Sequence, residues 1–144
     1  MRRRALAETA VRDQLAGVGV DAALVSLDPA SGAVVAMVGG HDFARSRVNL
    51  ATGQGGSGFP PGSSFKVFYL IAALEEGIPT STSFDTASPV TVTAPACPTG
   101  YTVHNAEPAL GGRMALPQAT AESVNAYYAQ LMVRVGTTNA IRAA

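Results

Sequence analysis

Residues 58–77, GFPPGSSFKVFYLIAALEEG, change character at their middle. The Pro-Pro-Gly at 60–62 interrupts regular structure, and directly after it an apolar run predicts a helix over residues 63–76. This run is apolar on nearly every face, which is typical of a helix in the middle of a domain. Its first turn nevertheless contains Lys66, the only lysine in the chain.

A chemical role would explain this lysine. Ser63 and Lys66 are three residues apart, so their side chains share one face of the helix. Apolar surroundings disfavour the ammonium form and lower the pKa of a lysine, and a neutral amine beside a serine is a general base beside a nucleophile. The N–H groups at the helix start could also stabilise an oxyanion. The structural alternative is that Lys66 snorkels out of the helix start with its stem on apolar neighbours.

Length and composition restrict the classes of function. The chain has 144 residues, which is one domain by length, and is 47% hydrophobic, which is enough for a core. Ten acidic and ten basic residues give a net charge of zero, so there is no electrostatic case for nucleic-acid binding. The basic start at Arg2–Arg4 does not open a signal peptide, because Glu8, Arg12 and Asp13 interrupt any apolar segment. No stretch of the sequence approaches the ~18 apolar residues of a membrane span.

The other elements follow from hydrophobic spacing and turn chemistry. Residues 5–16 predict a helix that buries one stripe, and two short apolar runs around the turn at 28–32 predict a hairpin. The sequence also predicts two further strands, a helix starting near Leu116 with a proline in its first turn, and a last helix after residue 125. The first stripe is Leu6, Ala10, Val11 and Leu15; the hairpin strands are 22–27 and 33–38; the further strands are 89–93 and 101–105; and the last stripe is Tyr128, Leu131, Met132 and Val135.

Three apparent motifs are set aside. Residues 53–58 match G-x-G-x-x-G, but no strand leads into them and two prolines separate them from the helix, so a dinucleotide site is rejected. Cys97 is the only cysteine, which excludes an internal disulfide and a cysteine-based zinc site, and it has no partnered base. A Ser-His-Asp triad using His104 with Asp85 or Asp42 has no support in the spacing.

A second pair, Ser123 and Asn125 in the segment ESVN, supports the catalytic interpretation. With Ser63 and Lys66 it resembles the S-x-x-K and S-x-N motifs shared by penicillin-binding transpeptidases and serine β-lactamases. From about Asp21 to the end, the chain is similar to the transpeptidase domain of class A, bifunctional penicillin-binding proteins. Five features occur in that family's order: the hairpin, Gly-Gly, Asn-x-Ala-Thr, Pro-Gly-Ser-x-x-Lys and Ser-x-Asn.

The resemblance implies an α+β fold of the penicillin-binding transpeptidase and serine β-lactamase type, with an antiparallel sheet, a central buried helix and a helical subdomain. Residues 1–20 would be a lead-in helix and residues 21–144 the N-terminal part of the domain. The fold would be incomplete, because the chain stops before the family's K-T-G motif and lacks its glycosyltransferase domain. Leu50 and Val67 replace residues that are usually Arg and Pro in the family.

The resemblance also implies roles. Ser63 would attack the bond between the terminal D-alanines of a peptidoglycan stem peptide, Lys66 would take its proton, Ser123 would relay a proton to the leaving D-alanine, and Asn125 would position Lys66 and the substrate. No cofactor or metal is implied, and β-lactams would acylate the same serine. The full-length protein would be anchored to the extracytoplasmic face of the bacterial plasma membrane through parts outside this chain. The open alternatives are a serine β-lactamase and a non-catalytic sensor of β-lactams or muropeptides.

Overall fold

The computed structural model describes residues 2–44, 46–53, 60–95, 97–107 and 111–144. The chain separates into two compact units, Met1–Pro60 and Pro61–Ala144. Most of the rejected glycine motif, residues 54–58, lies outside the described residues.

The first unit is a helix packed on a hairpin. Helix α1 spans Arg2–Leu15, and strands β1 (Leu24–Leu27) and β2 (Val34–Val38) pair antiparallel, which confirms the predicted helix and hairpin. The turn closes through a hydrogen bond from Gly32 N–H to the carbonyl of Asp28 at 2.8 Å, with Gly32 at a φ of +71°. The predicted stripe of α1 was partly wrong, because the helix buries Ala7 and Val11 whereas Leu6 is 62% exposed.

The hairpin has two apolar faces with different surroundings. Ala36 and Val38 on one face pack against α1, with Leu24 beside them. The residues of the other face are exposed, and they are Val25, Leu27, Val34 and Met37. Strand alternation places Val25, Leu27 and Met37 on the side opposite Leu24, Ala36 and Val38. Val34 lies opposite Leu27 because the pairing register shifts after Ser26.

The Gly-Gly and Asn-x-Ala-Thr segments meet at the end of β2. The backbone N–H of Leu50 donates to the carbonyl of Gly39 at 2.9 Å, and Asn49 Oδ1 accepts from the N–H of Ala51 at 3.0 Å. A Cβ at Gly39 would lie 2.5 Å from Asn49 Oδ1. The close approach of the two segments therefore explains why the first has a glycine where it meets the asparagine of the second.

The second unit is a helical cluster with two strand pairs. A 3-10 turn at Gly62–Phe65 leads into α2 (Lys66–Glu75), and the later helices are α3 (Leu116–Ala121), α4 (Asn125–Val135) and α5 (Thr137–Ala143). Strand β3 (Ser83–Asp85) pairs with β6 (Arg113–Ala115), and β4 (Val90–Ala94) pairs with β5 (Cys97–Val103), all antiparallel. The predictions of α3, α4, β4 and β5 are confirmed, whereas β3, β6 and α5 were not anticipated.

The core of this unit lies between α2 and α4. Ala72 and Ala73 of α2 are buried against α4, whose Tyr127 and Leu131 are both 0% exposed. Tyr128, Leu131 and Val135 of the predicted stripe are buried, and Met132 is half-buried. One flank of α2 is open in this chain, because Val67, Ile71 and Leu74 are 47%, 37% and 49% exposed.

Candidate active site

The site is organised around the amine of Lys66, at the first residue of α2. Its Nζ donates to the carbonyl oxygen of Ser123 at 2.6 Å and to Asn125 Oδ1 at 2.6 Å, and it lies 3.0 Å from Ser123 Oγ. The ring of Tyr128 is on another side, with its centroid 5.5 Å from Nζ. The predicted residues Lys66, Ser123 and Asn125 are thus brought together across 57 and 59 positions of sequence.

Burial changes the protonation of this amine. Desolvation lowers the pKa of Lys66 below the ordinary lysine value of 10.5. The direction follows from the cost of holding an ammonium group away from water. More of Lys66 is therefore neutral at a given pH than of a lysine on the surface. In the neutral form the nitrogen can accept the proton of the Ser123 hydroxyl instead of donating to it.

Ser123 reaches Lys66 through an unusual backbone conformation. It is the only described residue other than glycine with a positive φ, at 52°. It directly follows the cap of α3, where Ser123 N–H bonds the carbonyl of Thr120 at 3.1 Å and Val124 N–H bonds the carbonyl of Ala119 at 2.9 Å. This pair of bonds is a Schellman motif, which normally has glycine at the position that Ser123 occupies.

The end of α2 shows the same motif with glycine. Gly77 has a φ of +70°, its N–H bonds the carbonyl of Leu74 at 3.0 Å, and Ile78 N–H bonds the carbonyl of Ala73 at 2.9 Å. A serine at this kind of position is uncommon, and strained conformations of this kind cluster at functional sites. The left-handed turn at Ser123 presents both its carbonyl and its hydroxyl to Lys66.

The side-chain amide of Asn125 is fixed at both ends. Its Oδ1 accepts from Lys66, and its Nδ2 donates to the carbonyl of His104 at 2.9 Å. Because a carbonyl can only accept, Nδ2 must face His104, and Oδ1 is left to face Lys66. Asn125 is the first residue of α4, so the helix start sets the position of the amide.

Ser63 lies on the wall of a cavity next to this cluster. The cavity has a volume of about 240 Å³ and is lined by Ser63, Ser64, Lys66, Val67, Leu70, Thr120, Ser123 and Tyr128. Among the described residues, the hydrogen bonds of Lys66 Nζ go to Ser123 and Asn125 and not to Ser63. Ser64 lines the same cavity, so cavity geometry alone does not distinguish the two serines.

A second cavity, of about 420 Å³, lies on the β5 side of Lys66 and Asn125. Its wall includes the aromatic side chains of Phe65, Tyr69, Tyr101 and Tyr128. Tyr128 faces both cavities, and its hydroxyl is 2.7 Å from Thr120 Oγ1, which fixes the ring beside Lys66. The cluster of Lys66, Ser123 and Asn125 therefore stands between two spaces that can hold small molecules.

Comparisons with known proteins give the family of the chain. The family model of the penicillin binding protein transpeptidase domain matches residues 22–143. The chain belongs to the penicillin-binding transpeptidase family.

Relatives in that family are penicillin-binding proteins 1A. The chain is 38% identical over 136 residues to the one from Mycobacterium tuberculosis and 37% identical over 116 residues to the one from Neisseria lactamica, covering 90% and 79% of this chain. In both cases it spans only 14% of the relative's length.

Two solved structures share its fold. The PonA1 protein from Mycobacterium tuberculosis, in complex with penicillin V, superposes with a TM-score of 0.74 at 31% identity over 97% of this chain and 35% of that one. Penicillin-binding protein 1A from Haemophilus influenzae gives a TM-score of 0.68 at 31% identity over 85% of this chain and 18% of that one. The predicted penicillin-binding transpeptidase fold class and the resemblance to class A proteins are confirmed.

The residues that the sequence analysis set aside make other contacts, and His104 also lines the second cavity. His104 contributes its backbone carbonyl to Asn125, and the carboxylate of Asp85 accepts from the N–H of Ala87 at 3.0 Å. Cys97 is a half-buried free thiol in β5. In the described ranges no group of three or more His, Cys, Asp or Glu side chains is placed to hold a metal, and no helix there is long and apolar enough to cross a membrane.

Three contributors were missed by sequence reasoning: Thr120, Tyr128 and Asn105. Tyr128 was assigned only to the buried stripe of α4, and Thr120 carried no motif. Asn105 follows His104 at the end of the predicted strand 101–105, and nothing in its spacing signalled a contact. Thr120 and Tyr128 are eight positions apart on two different helices, and Asn105 contacts a helix start 21 positions away, so only the folded chain shows these contacts.

Proposed function

We propose that this chain is the part of a D,D-transpeptidase domain that carries the acyl-accepting serine, and that the intact enzyme cross-links peptidoglycan stem peptides ending in D-Ala-D-Ala. Membership in the penicillin-binding transpeptidase family supports the reaction class. The observation that carries the proposal is the contact of Lys66 Nζ with Ser123 Oγ at 3.0 Å and Asn125 Oδ1 at 2.6 Å beside the cavity that Ser63 lines. Residues 1–20 would lead into the domain and residues 21–144 would form its N-terminal part.

In the acylation step, Ser63 Oγ attacks the carbonyl of the penultimate D-alanine. The serine proton passes to neutral Lys66, and the new oxyanion is stabilised by the Ser63 N–H at the start of the helical segment. Collapse of the intermediate breaks the peptide bond, and the departing D-alanine nitrogen takes a proton through Ser123 Oγ, which is within reach of Lys66. The amine of a neighbouring stem peptide then displaces Ser63 and forms the cross-link.

Asn125 acts in this scheme through geometry and not through proton transfer. Its amide accepts from Lys66 at 2.6 Å, which keeps the lysine at the wall of the cavity that Ser63 and Ser123 also line. It would also hydrogen-bond the substrate amide. No metal or organic cofactor takes part in these steps, and β-lactams would enter by the same attack on their ring carbonyl.

Labelling by a fluorescent penicillin tests the assignment of the nucleophile. In a protein that carries the whole transpeptidase domain, the label should attach covalently to Ser63, and mass spectrometry should place it there. Ser64 is the matched control because it is adjacent, chemically identical and on the wall of the same cavity. An adduct on Ser64, or labelling that persists in Ser63→Ala, would refute the assignment.

A turnover assay separates the proposal from the alternatives. Rapid hydrolysis of a chromogenic β-lactam would indicate a β-lactamase, since the acyl-serine would then be released quickly. Stable labelling agrees with both a transpeptidase and a sensor, and formation of cross-linked muropeptides by the full-length enzyme distinguishes these two.

A further inference from the structure

We infer that Asn105, which follows the end of β5, is a positioning residue that holds the start of α4 so that Asn125 and Ser123 present their oxygens to Lys66. This inference rests on the proposed function. It concerns a residue outside the two motifs that the sequence indicated.

The start of α4 has no cap from its own segment. The residue before the helix is Val124, which offers no side-chain acceptor, and no side-chain cap hydrogen bond is made there. The first N–H groups of a helix have no partner within the helix and need one from elsewhere. Asn105 Oδ1 supplies it by accepting from the N–H of Ala126 at 2.9 Å. Asn105 therefore acts as a cap donated by a distant part of the chain.

Two adjacent bonds tie the same pair of segments together. The carbonyl of His104 accepts from Asn125 Nδ2 at 2.9 Å, and beside it Asn105 accepts from Ala126 N–H at 2.9 Å. Two bonds between neighbouring residues prevent the helix start from pivoting about either one. The side-chain amide of Asn125 therefore keeps the orientation in which Oδ1 faces Lys66.

Asn105 is itself fixed from behind. Its Nδ2 donates to the carbonyl of Thr86 at 3.0 Å, and its backbone N–H donates to Ser88 Oγ at 2.9 Å. Thr86 is 0% exposed and bonds the carbonyl of Gly112 through both its N–H, at 2.8 Å, and its Oγ1, at 2.7 Å. Asn105 is 7% exposed, so its bonds are largely shielded from competing water. A rigid chain of bonds thus leads from Gly112 to Lys66.

The test compares acylation by a β-lactam in a protein that carries the whole transpeptidase domain. In Asn105→Ala the second-order acylation rate should fall by ~10- to 100-fold, because misplacement of reacting groups by about 1 Å can cost ~10²-fold. The loss should lie in the acylation rate constant and not in the initial binding of the β-lactam. Asn105→Asp keeps the acceptor for Ala126 but loses the donor to the carbonyl of Thr86, so it should recover only part of the rate.

Tyr127→Phe is the matched structural control. It removes a partly buried hydrogen bond of the same helix, from the Tyr127 hydroxyl to the carbonyl of Thr82 at 2.7 Å, and it leaves the contacts of Lys66 and Asn125 in place. It should lower stability and leave the acylation rate constant unchanged. If Asn105→Ala does not fold, Ser88→Ala removes only the acceptor of the Asn105 N–H and should slow acylation by a smaller factor.

Amide hydrogen exchange separates this inference from the proposed function. The N–H of Ala126 should exchange about 10-fold faster in Asn105→Ala than in the parent protein, since it loses its acceptor. If the parent protein is not labelled by penicillin, the proposed function fails. The exchange rate of the Ala126 N–H still tests whether Asn105 caps α4. Three results would overturn the inference. They are acylation at the parent rate in both Asn105→Ala and Ser88→Ala, a fall in the acylation rate constant of Tyr127→Phe equal to that of Asn105→Ala, and unchanged hydrogen exchange at the N–H of Ala126.

Discussion

Replacing Ser123 by glycine should separate stability from chemistry. Ser123 has a φ of 52° at the glycine position of a Schellman motif. A left-handed conformation costs an L-residue about 1–2 kcal/mol, and glycine loses about 0.5–1 kcal/mol more backbone entropy on folding than alanine. Ser123→Gly should therefore be more stable to unfolding than Ser123→Ala by ~0.5–1 kcal/mol.

The comparison with alanine isolates the backbone. Both variants lose the hydroxyl and its contact with Lys66 at 3.0 Å, so the difference between them reports the left-handed turn together with the backbone entropy of glycine. Urea unfolding of a protein that carries the whole domain measures it as a shift in midpoint at constant slope. The matched control is Gly77→Ala, which should lose ~0.5–1 kcal/mol for the same reason. A Cβ at Gly77 would meet no atom within 4 Å, so strain alone would act there.

The two variants should be equally poor enzymes. Without the hydroxyl that relays a proton, acylation by a β-lactam should slow by ~10²–10⁴-fold, the usual contribution of general acid–base catalysis. Stopped-flow labelling gives the rate. Equal stability of Ser123→Gly and Ser123→Ala would refute the strain argument, and acylation of either variant at the parent rate would refute the role of the hydroxyl.

Three further predictions concern other parts of the chain. Lys66→Arg should fold but lose acylation. In the parent protein the acylation rate should rise with pH through a midpoint below 10.5, because burial lowers the pKa of Lys66 and its neutral form is the base. A flat pH profile would contradict this. The pKa of Asp21 is lowered mainly by its hydrogen bond with His41, so its contribution to stability is present above about pH 4 and lost as pH falls through the lower folded-state pKa. Asp21→Asn should accordingly reduce the loss of stability in acid, as measured by urea unfolding at about pH 6 and about pH 3. Residues 1–144 expressed alone should associate and react poorly with penicillin, because apolar side chains of the hairpin and of α2 are exposed; a sharp monomer peak on size exclusion with stoichiometric labelling would contradict this.

The features that local chemistry controls could be read from the sequence. Spacing placed Ser63 and Lys66 on one helical face, and the turn at 28–32 with its flanking apolar runs predicted the hairpin. The stripe of α4 was correct because its apolar residues, from Tyr128 to Val135, follow the helical period over about two turns. Four residues at motif spacing indicated the family and the candidate site before any contact was known.

The tertiary structure decided which of these features meet and what holds them. The buried stripe of α1 was mispredicted because a stripe through Leu6 and a stripe through Ala7 fit the helical period almost equally well. Only packing on β2 selects the face that is buried. The three-residue strands β3 and β6 pair across about 30 positions, a length at which periodicity carries little signal. The positive φ of Ser123 belongs to the local Schellman bonds that end α3, but a serine at that position carries no glycine signal in the sequence. The capping of α4 by Asn105 arises from a hydrogen bond between segments 21 positions apart. Such bonds form only when folding brings the segments together and excludes water from between them, so no local pattern can encode them.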